Sequence, residues 1–295
     1  MRVEIDKQSG FCGGVIRAIG TAERFLGEHG GRLYSLGAIV HNEEELARLN
    51  SLGLETVSVA DLPSLSSPAE KKTLLIRAHG EPPAVYQQVS ALGFDLIDCT
   101  CPVVLGLQKQ IREAYARLNA AGGRVIIYGK DGHPEVLGLV GQVDGDVIVV
   151  QTVAQLEEME ACGGLSFDCP IELFSQTTMS PVGYQSIAEY LASRMPDSLL
   201  VVHKTICSQV ASRHKELVSF ARAHDVIVFV AGSSSSNGKV LYDLCKKENA
   251  RTYHIGSPSE IDPEWFLPSD FVGICGATST PKWLLDQVAT TISEL

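Results

Sequence analysis

Short apolar runs punctuate the chain; each ends in a small polar cluster and passes into a longer segment with apolar residues at helical spacing. That alternation is the pattern of α/β units on largely parallel sheets. It predicts strands at LYSLGAIV before HNEEE, TLLI before RAHGEPP, LIDCT before CP and VIIYG before KDGHPEV. Further strands are predicted at ELF before SQTTMSP, LLVV before HKTICSQ, VIVFVA before GSSSSNG and FVGIC before GATSTP. Several clusters are followed at once by a proline: Pro82, Pro102, Pro134, Pro181 and Pro281. Proline suits the first turn of a helix, where its missing N–H costs nothing, so each cluster reads as a loop at a helix N-terminus. Ligands of open α/β sheets bind outside the carboxyl ends of the strands, and helix N-termini attract anions. A site is therefore expected in these clusters. The units are too many for one simple sheet, and 295 residues leave room for two or three domains.

Charge and hydropathy narrow the setting. With 24 basic and 35 acidic side chains the formal net charge is −11, and no run of Lys and Arg makes a local exception, which disfavours nucleic acid. The longest apolar stretches, Val226 to Val230 and Phe271 to Cys275, are far short of the ~20 residues a membrane helix needs. MRVEIDKQSG has no apolar secretory core. A cytoplasmic protein with neither a nucleic-acid nor a membrane partner is expected.

Eight cysteines in a reducing compartment do not read as a disulfide framework, and no CxxC pair exists to suggest a zinc ribbon or a ferredoxin-type run. Three of them share a context. Cys12 precedes Val15, Ile19, Ala22 and Leu26; Cys101 precedes Leu107, Ile111, Ala114 and Leu118; Cys207 precedes Val210, Leu217 and Ala221. Each stands at a strand-to-helix junction. Their separations are 89 and 106 residues, with about 100 more when the count wraps through the C-terminus to Cys12. Three similar modules, each placing one thiol near a common axis, account for that spacing; a small buried hydrophobe is the alternative for any one of them. Core or incidental roles are expected for Cys162, Cys169, Cys245 and Cys275. Cys99 lies two residues before Cys101, and along an extended strand both side chains share a face, so spacing alone does not choose between them.

No GxGxxG, GxxxxGK[ST], HExxH or GxSxG occurs. The strand-end loops instead offer His41, Asn42, His79, His133, Thr177, Thr178, Ser233 to Asn237, Thr278 and Ser279. Hydroxyl, amide, imidazole and backbone N–H donors at helix N-termini can hold a phosphate or diphosphate without Lys or Arg. Helix capping and turn formation account for any single one of them. In GHPEV, Glu135 sits in a loop short of charge, either as a desolvated proton donor or as a first-turn acid favouring the helix dipole.

Taken in order, GFCGGV, HNEEE, RAHGEPP, DCTCPVV, GHPEVLGLVGQ, SQTTMS, ICSQVASRH, SSNGKVL and GATSTP resemble 4-hydroxy-3-methylbut-2-enyl diphosphate reductase, the last enzyme of the non-mevalonate isoprenoid pathway. The match runs from residue 10 to about 285. It implies an α/β fold of three similar modules in a pseudo-threefold arrangement around a central iron–sulfur cluster, with boundaries drawn at 13–101, 102–203 and 204–295 with 1–12. The implied reaction is reductive dehydroxylation of the allylic diphosphate to isopentenyl and dimethylallyl diphosphate, with two electrons and two protons. The implied cofactor is one [4Fe-4S] cluster with an open iron, held by Cys12, Cys101 and Cys207; the TCP match selects Cys101 over Cys99. By the same matching His41, His79, His133, Ser235, Ser236, Asn237 and Ser279 correspond to the diphosphate cradle, Thr177 to the residue holding the substrate hydroxyl, and Glu135 to the proton source. A ferredoxin or flavodoxin is the implied electron donor, since no flavin or nicotinamide motif is present. Departures are few: FCGGV stands where FCAGV is usual, Cys99 where alanine is usual, and the GSSSSN loop is shortened. Other three-cysteine, three-module cluster proteins, such as quinolinate synthase, are not expected to carry the HN, AHG, GHPE and QTT set.

Overall fold

The structure, a computed structural model, describes residues 1–67 and 71–295. Its strands are β1 (Arg2–Ile5), β2 (Leu33–Leu36), β3 (Leu54–Val57), β4 (Thr73–Ile76), β5 (Asp95–Asp98) and β6 (Arg124–Tyr128). They continue as β7 (Val147–Val150), β8 (Ile171–Ser175), β9 (Leu200–Val202), β10 (Val226–Val230), β11 (Thr252–Ile255) and β12 (Phe271–Gly276). These form three four-stranded sheets in the orders β3-β2-β4-β5, β7-β6-β8-β9 and β11-β10-β12-β1, with every pairing parallel. Numbered within its own module, each sheet has the same order, 2-1-3-4. The third sheet closes its pattern with β1, so the start of the chain supplies the fourth strand of the last module. Three similar α/β modules are thus present.

Parallel sheets bury both faces, and their inner strands therefore read as continuous apolar runs. In the second module Val125 and Ile127 pack with Leu107, Ile111, Ala114 and Leu118 of the helix Pro102–Ala120, while Ile126 and Leu173 pack with Leu156, Ile187 and Leu191 behind the other face. The third module repeats the scheme, with Val226, Val228 and Val230 on one side of β10 against Leu284, Val288 and Ile292, and Ile227 and Phe229 on the other against Leu217, Leu241 and Cys245.

All six inner strands lie in runs read from the sequence. The four strands outside those runs, β1, β3, β7 and β11, are all at sheet edges. Two predicted strands are shorter than expected. The LYSLGAIV run stops at Leu36 because Gly37 turns into the left-handed region at φ 71°, with the Arg77 guanidinium lying where a Cβ would be. The LIDCT strand stops at Asp98, and Cys101 already caps the helix that Pro102 begins. Cys99 and Cys101 therefore do not share one strand face. The prolines start helices in two ways: Pro102, Pro134 and Pro181 are first helical residues, whereas Pro82 and Pro281 are the caps themselves.

The chain folds as two compact units. Met1–Ala78, Phe94–Cys99 and Gln209–Leu295 form the first, which holds the sheets containing β2 and β10. The second, His79–Gly93 and Thr100–Ser208, holds the sheet containing β6. Among the described residues no helix is long and apolar enough to cross a membrane.

Candidate active site

The repeated 2-1-3-4 order puts the first and third strands side by side, with their connections running outward in opposite directions. That is a topological switch point, where open α/β sheets bind ligands beyond the strand ends. The loop after each first strand carries His41, His133 with Glu135, or Ser235 to Asn237. After each third strand come His79, Thr177, or Thr278 with Ser279. After each fourth strand comes a cysteine: Cys101, Cys207 and Cys12. The candidate residues thus occupy three equivalent positions in three modules.

In the first unit, two such loops lie against each other. A Cβ on Gly232 would fall 2.5 Å from the His41 carbonyl oxygen and 2.9 Å from Asn42 Cα, so the glycine is what lets the HNEEE backbone rest on the GSSSSN loop. Ser233, exposed, donates its hydroxyl to Glu43 Oε1 at 2.7 Å across the same contact. Asn42 caps the helix Glu43–Ser51, its Oδ1 accepting from Glu45 N at 3.0 Å. Ser235 caps the helix Ser236–Glu248: its Oγ accepts from Gly238 N at 3.0 Å and lies 3.1 Å from Ser279 Oγ. Asn237 Oδ1 accepts from Thr278 N at 3.3 Å and Thr278 Oγ1 at 3.0 Å. Ser236 Oγ, Asn237 Nδ2 and Asn42 Nδ2 are buried polar atoms that no hydrogen bond satisfies. An unsatisfied buried donor is costly, which makes these the groups an anionic ligand would complete.

Cys12 caps the helix Gly13–His29 and is half-buried; its side chain makes no capping bond, and its backbone N–H donates to Thr278 O at 3.2 Å. The segment before it is pinned by Arg213, 4% exposed. That guanidinium donates to Gln8 O, to Ser9 Oγ at 2.7 Å and to Gly276 O, with Asp6 Oδ2 at 3.6 Å. Sequence reasoning missed Arg213. The signal was present in the helix beginning at Ser208, where the apolar spacing steps from Val210 straight to Leu217 and an arginine fills the inward position between them.

In the second unit the central feature is Glu135. Its carboxyl is 2% exposed; Oε1 accepts from Thr177 N at 2.7 Å and Oε2 from Thr177 Oγ1 at 2.8 Å. Burial pushes its pKa up to about 7, against the lowering effect of the two Thr177 bonds. Thr177 O in turn accepts from Cys207 N at 2.9 Å. His133 caps the helix Pro134–Val140, its Nδ1 accepting from Glu135 N at 3.1 Å, which leaves Nε2 as the proton-bearing nitrogen of the neutral ring. The His79 ring stands edge-on to His133 at 5.3 Å. Gly80 beside it takes φ 68°, and a Cβ there would also meet Thr100 and Gln108. Cys101, half-buried, caps its helix without a side-chain bond, and half-buried Cys207 immediately precedes the helix Ser208–Arg222.

None of the eight cysteines is in a disulfide. Cys99 is 2% exposed in the core formed around Ala18, Leu33 and Leu75, and burial pushes its thiol pKa up. Cys245 and Cys275 are fully buried, Cys162 is exposed and Cys169 half-buried. The donor set of Cys12, Cys101 and Cys207 fits an iron–sulfur cluster: each is a thiol at a helix N-terminus, the end of the dipole that favours a thiolate.

A protein-family profile described as LytB protein matches residues 3–293. The 4-hydroxy-3-methylbut-2-enyl diphosphate reductase of Porphyromonas gingivalis is 45% identical and covers 99% of this chain and of its own, and that of Parabacteroides distasonis is 46% identical over 100% of this chain and 98% of its own. A solved structure of (E)-4-hydroxy-3-methyl-but-2-enyl diphosphate reductase, described as the terminal enzyme of the non-mevalonate pathway, is 33% identical over the full length of both chains with a TM-score of 0.67. The corresponding Plasmodium falciparum structure has a TM-score of 0.86 at 22% identity, covering 98% of this chain and 87% of that one, a likeness of fold. With a profile spanning nearly all its residues and relatives this similar over their whole length, the chain belongs to the LytB family.

Proposed function

We propose that this protein is a 4-hydroxy-3-methylbut-2-enyl diphosphate reductase, removing the allylic hydroxyl of its substrate with two electrons and two protons to give isopentenyl and dimethylallyl diphosphate. Family membership and the names of the relatives support the reaction. The observation that carries the mechanism is Glu135, a carboxyl buried deeply enough to hold a proton near neutrality and bonded to a hydroxyl that can face a substrate.

Cys12, Cys101 and Cys207 are the residues that would hold the [4Fe-4S] cluster, which when bound supplies single-electron reduction from a ferredoxin or flavodoxin in the cytoplasm. The diphosphate is assigned to His41, His79, His133, Ser235, Ser236, Asn237 and Ser279. Anchoring the anionic end fixes the reacting end without a basic surface, in keeping with the net charge of −11. Thr177 accepts or donates at the substrate hydroxyl while remaining bonded to Glu135. Protonated Glu135 passes its proton to the departing oxygen through that contact, and the Thr177 backbone N–H stabilises the carboxylate left behind. Ionisation of Glu135 removes the donor, so turnover is expected to fall as pH rises through about 7.

The test is anaerobic reconstitution, iron and sulfide analysis, and reduction of the allylic diphosphate by an artificial donor. Cys101→Ala is expected to lose the cluster and Cys99→Ala to keep it; equal loss from both would refute the ligand assignment. For Glu135→Gln the expectation is a retained cluster, retained substrate affinity and turnover lower by roughly 10²–10⁴-fold. Near-normal turnover would return Glu135 to a helix-dipole role.

A further inference from the structure

In every module the fourth strand gives the third a backbone bond just past its own end: Cys99 N donates to Ile76 O at 2.8 Å, His203 N to Leu173 O at 2.9 Å and Asp6 N to Ile274 O at 2.8 Å. The candidate cysteines follow those residues by two, four and six positions. The two longer tethers need a further hold if the thiol is to keep one place. We infer that Thr205 and Ser9 are positioning residues for Cys207 and Cys12, each hydroxyl latching the cysteine-bearing segment to the end of the neighbouring strand. The inference rests on the reading of these cysteines as cluster ligands.

A parallel ladder continued by one more bond would send Ser175 N to His203 O and Gly276 N to Asp6 O. Those two N–H groups go to hydroxyls instead. His203 O accepts from Tyr184 Oη at 2.7 Å and from Thr205 N at 3.1 Å, which turns the chain out of the sheet. Ser175 N then donates to Thr205 Oγ1 at 2.7 Å, and the same hydroxyl donates to Ser175 O at 2.9 Å. In the third module Gly276 N donates to Ser9 Oγ at 2.9 Å, and that hydroxyl donates to Asp6 Oδ2 at 2.7 Å. Ser175 and Gly276 occupy equivalent positions, two residues past Leu173 and Ile274. Two residues further on, Thr177 O accepts from Cys207 N at 2.9 Å and Thr278 O from Cys12 N at 3.2 Å. Each cysteine is thus tied at two points to one strand end. The local sequences, HKTIC and QSGFC, differ in length and in which hydroxyl they use, so the shared element is the hold itself. Ser175 is fully buried and Thr205 is 7% exposed, so no water replaces a lost hydroxyl there. Groups that orient a metal ligand from behind govern how tightly the metal is kept.

The experiment compares wild type, Thr205→Val and Thr205→Ser as anaerobically reconstituted holoenzymes. Valine keeps the shape and removes the hydroxyl; serine keeps the hydroxyl. Thr205→Val is expected to lose iron to a chelator about 10–100-fold faster and to show an altered electron paramagnetic resonance spectrum after dithionite reduction, with Thr205→Ser restoring both. Wild-type behaviour of the valine variant, or a serine variant as impaired as it, overturns the inference. So does iron loss that rises only in step with urea unfolding while the spectrum is unchanged, since that is a structural role. Hydrogen exchange on the cluster-free full chain reads the latch without iron. The amides of Ser175 and Cys207 are expected to exchange about tenfold faster in Thr205→Val and at the wild-type rate in Thr205→Ser. Ser9→Ala is expected to speed Gly276 and Cys12 in the same way. Unchanged exchange in either variant overturns the latch at that cysteine. Wild-type protein that shows this exchange pattern but retains no iron would count against the ligand reading, not against the latch.

Discussion

Glu135 is held between two opposing effects, and their balance makes it observable. Burial disfavours the carboxylate, while both Thr177 bonds favour it; burial is the larger, and the pKa stands at about 7 against an ordinary 4.5. A carboxyl whose folded pKa is raised binds its proton more tightly in the folded state. Its contribution to stability is therefore complete below about pH 4.5 and is lost as pH rises through about 7. The loss is on the order of 3 kcal/mol. Urea titrations of the cluster-free protein from pH 4.5 to 8 are expected to show Glu135→Gln gaining on wild type by that amount, and parallel curves would contradict the burial argument. The partnership behind this behaviour had no signature in the chain, since Glu135 and Thr177 are 42 residues apart. The local sequence GHPEV allowed a dipole role equally well, and only the fold brings the Thr177 hydroxyl to the carboxyl.

Loops and strands tell a more legible story. Inner strands show themselves as continuous apolar runs because both faces are covered, whereas β1, β3 and β11 mix polar with apolar residues at sheet edges and give a weak signal. β7 is apolar throughout, but its following helix begins with a Thr152–Gln155 capping box and no proline. Contacts between loops were out of reach of any periodicity. The approach of the HNEEE loop to the GSSSSN loop depends on the absence of one side chain at Gly232. Gly232→Ala forces a Cβ onto the His41 carbonyl, a backbone atom that cannot swing aside. The expected cost is about 1–3 kcal/mol in thermal or urea unfolding, with a raised KM for the diphosphate substrate and little change in kcat with the artificial donor. An unaltered KM would mean that the two loops act independently.

Across the whole molecule, one topology is used three times, and the third use depends on the two ends of the chain meeting. Arg213 secures that meeting by bonding Gln8, Ser9 and Gly276, while the Ser9 hydroxyl accepts from Gly276 N at 2.9 Å and donates to Asp6 at 2.7 Å. Removing the guanidinium strands these partners in a buried place. Arg213→Met is expected to cost about 3–5 kcal/mol in urea unfolding of the cluster-free protein and to expose the bonds between residues 6 and 12 to limited proteolysis, with Arg213→Lys intermediate. Resistance of that segment in the Met variant would show that β1 pairing alone holds it.

The pairing of β1 with β12 also sets an order of events during synthesis. Ser9 and its partner Gly276 are separated by 267 residues, so the segment that presents Cys12 leaves the ribosome early and waits for nearly the entire chain before it has a sheet to join. Domains that complete themselves locally can fold as they emerge. The second unit, drawn from residues 79–93 and 100–208, is of that kind. Its two candidate thiols lie in a segment that is complete before β12 is made, whereas the sheet that holds the segment before Cys12 is not, so a cofactor needing all three thiols is expected to be installed only after β12 has joined its sheet.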